Sequence, residues 1–334
     1  MKKKLEDTDY LYITARVRSL ERYLLNRERM ERMLEARTDE DATKVLAECG
    51  YGDIPSSSAE DLERALASGR NGMFAFLERI VPEHALIDAF RAKYDYHNMK
   101  AILKSEAKAF DPEPLMIDSG RVRSKSLIEM LRQDDTRGLP PVMRAALYEA
   151  RDVLARTDDP QLSDMVLDRA LFDEMRKMAE ASQSKFLSEY VKLSIDLTNL
   201  RAVVRALRIG RGADFLRSLL ITGGKVDNDR LVAAALSDAS LSELYSGSLL
   251  EEAATYGSPA IQGETSLTTF ERHGDEAIIK YMKTSKFVAF GEQPLIAFIA
   301  AKEAEIISIR TIMSGRKAGV SHDIIRERLR ESYV

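Results

Sequence analysis

Three acidic residues of this chain, Asp95, Asp196 and Glu305, stand in one recurring setting. An acid among apolar neighbours is where a carboxyl pKa moves and where general acid–base chemistry becomes available. In each case the acid at i is followed by an amide or hydroxyl at i+3 (Asn98, Asn199, Ser308) and a basic residue at i+5 (Lys100, Arg201, Arg310). Apolar residues fill i+4, i+7 and i+8. The other chemistry-bearing residues form no such pattern. His84, His97, His273 and His322 have no His-x-x-x-His or Cys-x-x-Cys companions, so no metal-ligand spacing is present. His273-Gly274-Asp275-Glu276 reads as a turn followed by acids at a helix start rather than as a metal or acid–base cluster. Cys49 lies beside Gly50 with no neighbouring histidine to activate it. There is no Gly-x-x-x-x-Gly-Lys-Ser/Thr, and neither Gly50-Tyr51-Gly52 nor Gly210-Arg211-Gly212 extends to Gly-x-Gly-x-x-Gly. Neither a nucleotide cradle nor any other cofactor site is therefore expected.

The elements that carry the three acids must be helices. Apolar residues recur every three or four positions, as in Leu193, Leu197, Leu200, Val204 and Leu207, and strand-like alternation is absent from the long segments. At 100° per residue, i+4, i+7 and i+8 share one face with the acid between them, while i+5 points away. Asp95, Asp196 and Glu305 are then partly buried and require hydrogen bonds from a helix N-terminus or a basic side chain. A catalytic group is needed once, not three times at equivalent positions, so the structural reading is preferred to the catalytic one. Arg201, Arg205, Arg208 and Arg211 form a basic stripe, which reads as a solvated helix face or as a surface for an acidic or phosphate-bearing partner. No exposed aromatics interleave with it, and with aromatic residues at 7% and no Trp, nucleic acid is not an expected partner.

Breakers divide the chain at Gly50 to Pro55, Asp111 to Pro114, Gly138 to Pro141, Gly223-Gly224 and Gly257-Ser258-Pro259. Ser56-Ser57-Ser58-Ala59-Glu60 marks a helix N-terminus. A second pattern follows the first two acids: Leu115-Met116-Ile117-Asp118-Ser119-Gly120-Arg121-Val122 corresponds to Leu219-Leu220-Ile221-Thr222-Gly223-Gly224-Lys225-Val226, with Leu127 and Leu231 five residues beyond each valine. Gly319-Val320 with Ile325 is a shorter echo after the third. Two patterns recurring in order at one period predict three tandem helical domains, 1–113, 114–217 and 218–334. The 334 residues, 45% hydrophobic and 31% charged with a net charge of −4, suit a globular chain of two or three domains. With a single cysteine and no secretory apolar segment behind Met1-Lys2-Lys3-Lys4, the chain reads as cytoplasmic. No apolar run approaches the roughly 20 residues of a membrane span, so any membrane role is peripheral.

Three segments carry a family resemblance. Tyr12-Ile13-Thr14-Ala15-Arg16-Val17-Arg18-Ser19-Leu20-Glu21-Arg22-Tyr23-Leu24-Leu25 is similar to the opening helix of the C subunit of the V-type and A-type rotary ATPases, the prokaryotic relative of the eukaryotic d subunit. Phe186 through Leu200 resembles that family's most recognisable block, and Ala301 through Arg310 with Ile324 through Arg330 resembles its C-terminal signature. Ser308 stands where the family carries an amide, and Tyr94 to Asn98 is a looser copy. The resemblance implies an all-α protein of three pseudo-threefold domains forming a funnel with a central cavity, and no catalytic site. It implies a central-stalk component on the cytoplasmic face of the membrane, peripheral, seated on the proteolipid ring and receiving the rotor shaft made by the D and F subunits. ATP hydrolysis in the A and B subunits would then be coupled to proton or sodium transport. The alternative from another class is a generic helical-repeat scaffold.

Overall fold

The computed structural model describes residues 5–55, 58–237 and 241–334. Met1-Lys2-Lys3-Lys4, Ser56 and Ser57 lie outside these residues. Among the described residues every regular element is helical, as the periodicity predicts. In chain order they are α1 (Leu11–Glu21), α2 (Arg27–Glu35), α3 (Asp39–Glu48), α4 (Ala59–Glu78), α5 (Ala85–Lys108), α6 (Ser124–Arg132), α7 (Pro141–Thr157), α8 (Pro160–Ser182) and α9 (Lys185–Arg208). They continue with α10 (Ala213–Leu219), α11 (Asn228–Leu236), α12 (Leu241–Leu244), α13 (Glu251–Gln262), α14 (Leu267–Lys283), α15 (Glu292–Lys317) and α16 (His322–Arg328). Short 3-10 turns occupy Asp7–Tyr10, Glu113–Leu115 and Thr284–Phe287.

Local chemistry sets the helix ends. Asn26, Thr38, Ser58, Asp227, Ser266 and Ser321 each accept a hydrogen bond from the backbone N–H three residues on, which satisfies one of the donors left over in a first turn. Pro141 and Pro160 open α7 and α8, where a missing N–H costs nothing. One expected break is not a break. Gly257-Ser258-Pro259 lies inside α13, which continues to Gln262 and stops at Gly263 in the left-handed region, φ 84°. Burial of Ala253, Ala254, Gly257 and Ala260 along one face carries the helix through its proline. A Cβ on Gly257 would sit 3.0 Å from Leu241 Cδ1 and 3.4 Å from Val204 Cγ2, so the close approach also explains the glycine.

The chain forms two compact units. One comprises Glu83–Val191 with Ile221–Gly223. Its core is Tyr96, Met99, Ile102 and Leu103 of α5 packed against Leu127 and Leu131 of α6, Met143, Leu147 and Ala150 of α7, and Leu167 of α8. The other unit comprises Met1–Pro82, Lys192–Leu220 and Gly224–Val334, and two cores lie among its described residues. In the first, Leu197, Leu200, Val203 and Val204 of α9 meet Leu231 and Val232 of α11, Ala253 and Ala260 of α13, and Phe270 and Ala277 of α14. In the second, Ile306, Ile309, Ile312 and Met313 of α15 meet Met30, Met33 and Leu34 of α2, Val45 and Leu46 of α3, and Leu62 and Leu66 of α4. These three cores share a plan: part of a long helix of 24 to 26 residues packs with a short helix and two further helices, joined in the α9 core by Leu216 of α10 and Leu241 of α12 and in the α15 core by Ile325 of α16. For α5 and α9 the short helix and the two further helices come next in the chain; for α15 they come from its beginning.

Pro259 denies α13 one backbone hydrogen bond without ending the helix. Pro259→Ala restores that donor and is expected to stabilise the protein by about 1–3 kcal/mol, the interior-proline cost less the entropy a proline removes from the unfolded chain. A urea midpoint unchanged or lowered in the variant would show that the ring's packing outweighs the missing bond.

Candidate functional site

The three acids lie midway along the three long helices and are almost fully enclosed, at 0% exposure for Asp95 and 4% for Asp196 and Glu305. Each is met by the segment that leads into a short helix. Val122 N–H, two residues before α6, donates to Asp95 Oδ1 at 3.1 Å. Val226 N–H, two residues before α11, donates to Asp196 Oδ1 at 3.1 Å, and Lys225 N–H donates to its Oδ2 at 3.0 Å. Leu25 N–H, two residues before α2, donates to Glu305 Oε2 at 2.6 Å. One joint is thus built three times: a carboxylate inside a long helix caps the backbone entering the next short helix.

Side chains complete each joint differently. At Asp95, Arg121 Nε donates to Oδ2 at 2.7 Å while its two terminal nitrogens donate to Glu174 at 2.8 and 3.1 Å, giving a buried acid–guanidinium–acid triad. Asn98 clamps Ile117, accepting its N–H at 2.8 Å and donating to its carbonyl at 2.9 Å. At Asp196 the two backbone donors do most of the work, and Asn199 donates to Asn228 Oδ1 at 3.2 Å. At Glu305, Tyr51 Oη and Lys302 Nζ each donate to Oε1 at 2.6 Å, and the Lys302 ammonium sits 4.1 Å from the centre of the Tyr51 ring. Ser308 donates instead to Ala304 O in its own helix at 3.1 Å, so it does not perform the clamp that Asn98 does. Gly120 and Gly224 are required where they stand, because a Cβ at either would overlap Oδ1 of Asp95 or Asp196.

The third joint is not made by the local echo. Val320, the echo of Val122 and Val226, donates its N–H to Gly315 O at the end of α15 and takes no part in it. Leu25, 280 residues away, supplies the N–H. A signal was present: Leu25 precedes Met30 by five residues, just as Val122 precedes Leu127 and Val226 precedes Leu231, and all three of those later residues are buried.

Electrostatics agree with a structural role. Burial pushes the Asp95 carboxyl above its ordinary value against the pull of Arg121 and Val122 N–H, and burial likewise raises Asp196 against the N–H groups of Val226 and Lys225. Both oxygens of each carboxylate are engaged by donors. Cys49 is buried, and desolvation, with the Glu305 charge second, pushes its thiol up to about 12. His273 is buried and stacked on Tyr256 at 4.3 Å, with Nδ1 at 3.2 Å from Glu252 Oε1 and 3.3 Å from Glu276 Oε2. Among the described residues no group of three or more His, Cys, Asp or Glu side chains is arranged to hold a metal ion.

The arginine stripe does not gather with the acids. Arg201 donates to Asp275 Oδ1 and to Glu271 O, both at 2.8 Å. Arg205 bonds Glu271 Oε1 at 2.6 and 2.8 Å, Arg208 donates to Ala260 O at 2.7 Å, and the Arg211 guanidinium lies 4.9 Å from the Phe215 ring centre. Each of the four therefore has a partner within the chain: α9 uses Arg201 and Arg205 to hold α14 and Arg208 to hold the end of α13, while Arg211, past the end of α9, lies against α10.

Residues 13–328 match the family described as ATP synthase (C/AC39) subunit. The chain is 24% identical over 332 residues to the C subunit of the V-type sodium ATPase of Enterococcus hirae, covering 97% of this chain and 99% of that protein. It is 25% identical over 338 residues to the C subunit of the A-type ATP synthase of Thermococcus kodakarensis, covering 96% and 90%. A similar protein from Methanocaldococcus jannaschii, also the C subunit of an A-type ATP synthase, is 24% identical over 343 residues, covering 96% and 86%.

Asp196→Asn keeps the size of the side chain but turns an amide donor toward one of two backbone donors, and is expected to cost about 1–3 kcal/mol in urea unfolding. The pH dependence has a definite sign. Because the native carboxyl holds its proton above the ordinary value of 3.8, the native state binds more protons than the unfolded chain in that interval, and stability falls as pH rises through it. The lead of the wild type over Asp196→Asn should shrink across that interval and be constant above it; a lead that grows with pH would contradict the burial argument. Cys49, for its part, should react with iodoacetamide at neutral pH at least about a hundredfold more slowly in the folded protein than in urea; equal rates would mean that the thiol is accessible.

Proposed function

The chain belongs to the ATP synthase (C/AC39) subunit family, and on that premise we propose that it is the non-catalytic coupler of the central stalk of a rotary ATPase. In this reading it is the socket between a shaft formed by the D and F subunits and the proteolipid ring of the membrane domain. It transmits the rotation that links ATP turnover to proton or sodium movement. It works at the cytoplasmic face, peripheral to the membrane and attached through the ring; no helix among the described residues is long and apolar enough to cross a bilayer. Three pseudo-threefold domains, 1–113, 114–217 and 218–334, surrounding a central cavity in a funnel, are part of the same proposal.

The observation that carries it is the repeated joint. A coupler has to pass torque without yielding, and close-packed helical cores have few alternative arrangements into which they can deform. A long helix of 24 residues is about 36 Å of stiff rod. What turns rods into a frame is a fixed angle where one meets the next element. A buried carboxylate bonded to backbone N–H groups supplies that, because a backbone donor cannot swing away as a side chain can. The chemistry the acids could have offered is spent on these bonds. The Enterococcus hirae and Thermococcus kodakarensis C subunits are matched over 99% and 90% of their own length, so the likeness extends over whole subunits of such complexes and not over one shared piece.

The test is assembly. The purified protein is mixed with a detergent-solubilised proteolipid ring and then with the D–F shaft, and complexes are weighed by native mass spectrometry. One copy bridging ring and shaft is the expected species. Folded protein that binds neither would overturn the proposal and favour a scaffold with other clients.

A further inference from the structure

Helix α1 buries Ile13, Thr14 and Val17. Its exposed residues are Leu11, Tyr12, Ala15, Arg16 and Ser19, continued by Arg22 and Tyr23 just past its end. At 100° per residue these seven fall in one arc of roughly 140° and extend over about 18 Å. Leu11 is 50% and Tyr12 63% exposed. No acid lies in the arc, although acids outnumber bases in the chain by 54 to 50. The acids that flank it are Asp7 and Asp9, in the 3-10 turn just before Leu11, where Asp9 accepts the Glu6 N–H at 2.9 Å, and Glu21, which faces elsewhere and accepts from Arg18 at 2.9 Å and from Tyr333 Oη at 3.1 Å. Arg16 and Arg22 meet only rings, Phe76 at 5.7 Å and Tyr23 at 4.7 Å, with Arg22 also donating to Tyr23 Oη; among the described residues neither meets a carboxylate.

The edge of this face is extended by the connector between α14 and α15, which runs antiparallel to α1. Arg18 donates to Ser285 O at 2.7 Å and Val288 O at 3.3 Å, and Thr14 Oγ1 donates to Gly291 O at 3.2 Å. Held in this way, the connector projects Phe287, 94% exposed, and Phe290, 38% exposed. A phenylalanine presented to water on a braced turn costs solvation and gains nothing within the chain. Tyrosine and arginine are the residue types that most often dominate binding energy.

The face occurs once. At the equivalent station before α11 stands α10, whose exposed Asp214 and Arg217 approach one another at 3.3 Å, and before α6 there is only the three-residue turn Glu113–Leu115. A ring of identical subunits offers the same contact many times over and is suited to a surface that the repeats share. A feature present once suits a partner present once.

We propose that the exposed face of α1, flanked by Phe287, docks a helical segment of the rotor shaft that carries an apolar stripe edged with carboxylates. Arg16 and Arg22 take the carboxylates, and Leu11, Tyr12, Tyr23 and Phe287 take the stripe. The geometry is that of ordinary helix-on-helix packing, and the paired arginines favour acidic partners through charge-assisted hydrogen bonds. This inference rests on the coupling function proposed above.

The experiment compares wild type with Arg16→Glu/Arg22→Glu, binding the purified D–F shaft and, separately, the detergent-solubilised ring, at low and high salt. Circular dichroism verifies the fold, and Arg16→Gln/Arg22→Gln replaces the double reversal should that variant not fold. Expected are a loss of shaft affinity of about tenfold or more, unchanged ring affinity, and a salt dependence present in the wild type and lost in the variant. A folded variant that binds the shaft as the wild type does overturns the assignment, as does a loss that falls on the ring instead. Wild-type protein that binds neither partner is a different result and overturns the coupling function itself.

Discussion

A carboxylate enclosed in a helical core and bonded to the backbone of the next segment is the constraint on which this structure depends. Removing such a group from water is costly, and the cost is offset only when its oxygens are met by donors in good geometry. The donors here are N–H groups of chain about to enter a short helix, so satisfying the acid also fixes where that helix starts and at what angle it leaves. The core that follows, which packs the long helix against the short one and its neighbours, is built at that angle. The glycines at 120 and 224 exist to let the backbone come close enough.

At Glu305 the same interaction joins the chain's first segment to its last long helix. Other contacts reinforce it. Arg316 donates to the carbonyls of Leu34 and Ala36 at 2.7 and 3.0 Å, Arg326 takes Glu31, and Arg310 takes Glu63. Helices α2, α3 and α4 therefore complete the core of α15 instead of standing beside it as an independent beginning. One boundary between the two compact units, Val191/Lys192, falls within α9.

Much of this is legible in the residues. Periodicity shows the helices, and the recurrence of an acid with its i+3, i+4, i+5, i+7 and i+8 companions points to α5, α9 and α15. The Gly-basic-Val lead-ins are visible as a repeat that follows two of the acids closely in sequence, and the structure shows that they carry the donors. The third escapes because Leu25 lies 280 residues from Glu305 in a segment without glycine, while Gly319-Val320 offers a local imitation that in fact only caps α15. Pro259 misleads for a related reason: a breaker is judged by local backbone cost, and the buried small-residue face of α13 outweighs it. The arginine stripe is visible as a pattern, but the partners of Arg201, Arg205 and Arg208 on α14 and α13 are tertiary facts that spacing does not contain.

If this chain transmits work without performing chemistry, reconstitution should separate the two. The ATPase complex is stripped of this subunit in proteoliposomes, and ATP hydrolysis and ion uptake are recorded together before and after the purified chain is restored. A coupler leaves hydrolysis running in its absence while uptake stops, and uptake returns when one copy per complex is added back. Uptake that persists undiminished without the chain, or hydrolysis that requires it even when the ring has been removed, would contradict that role.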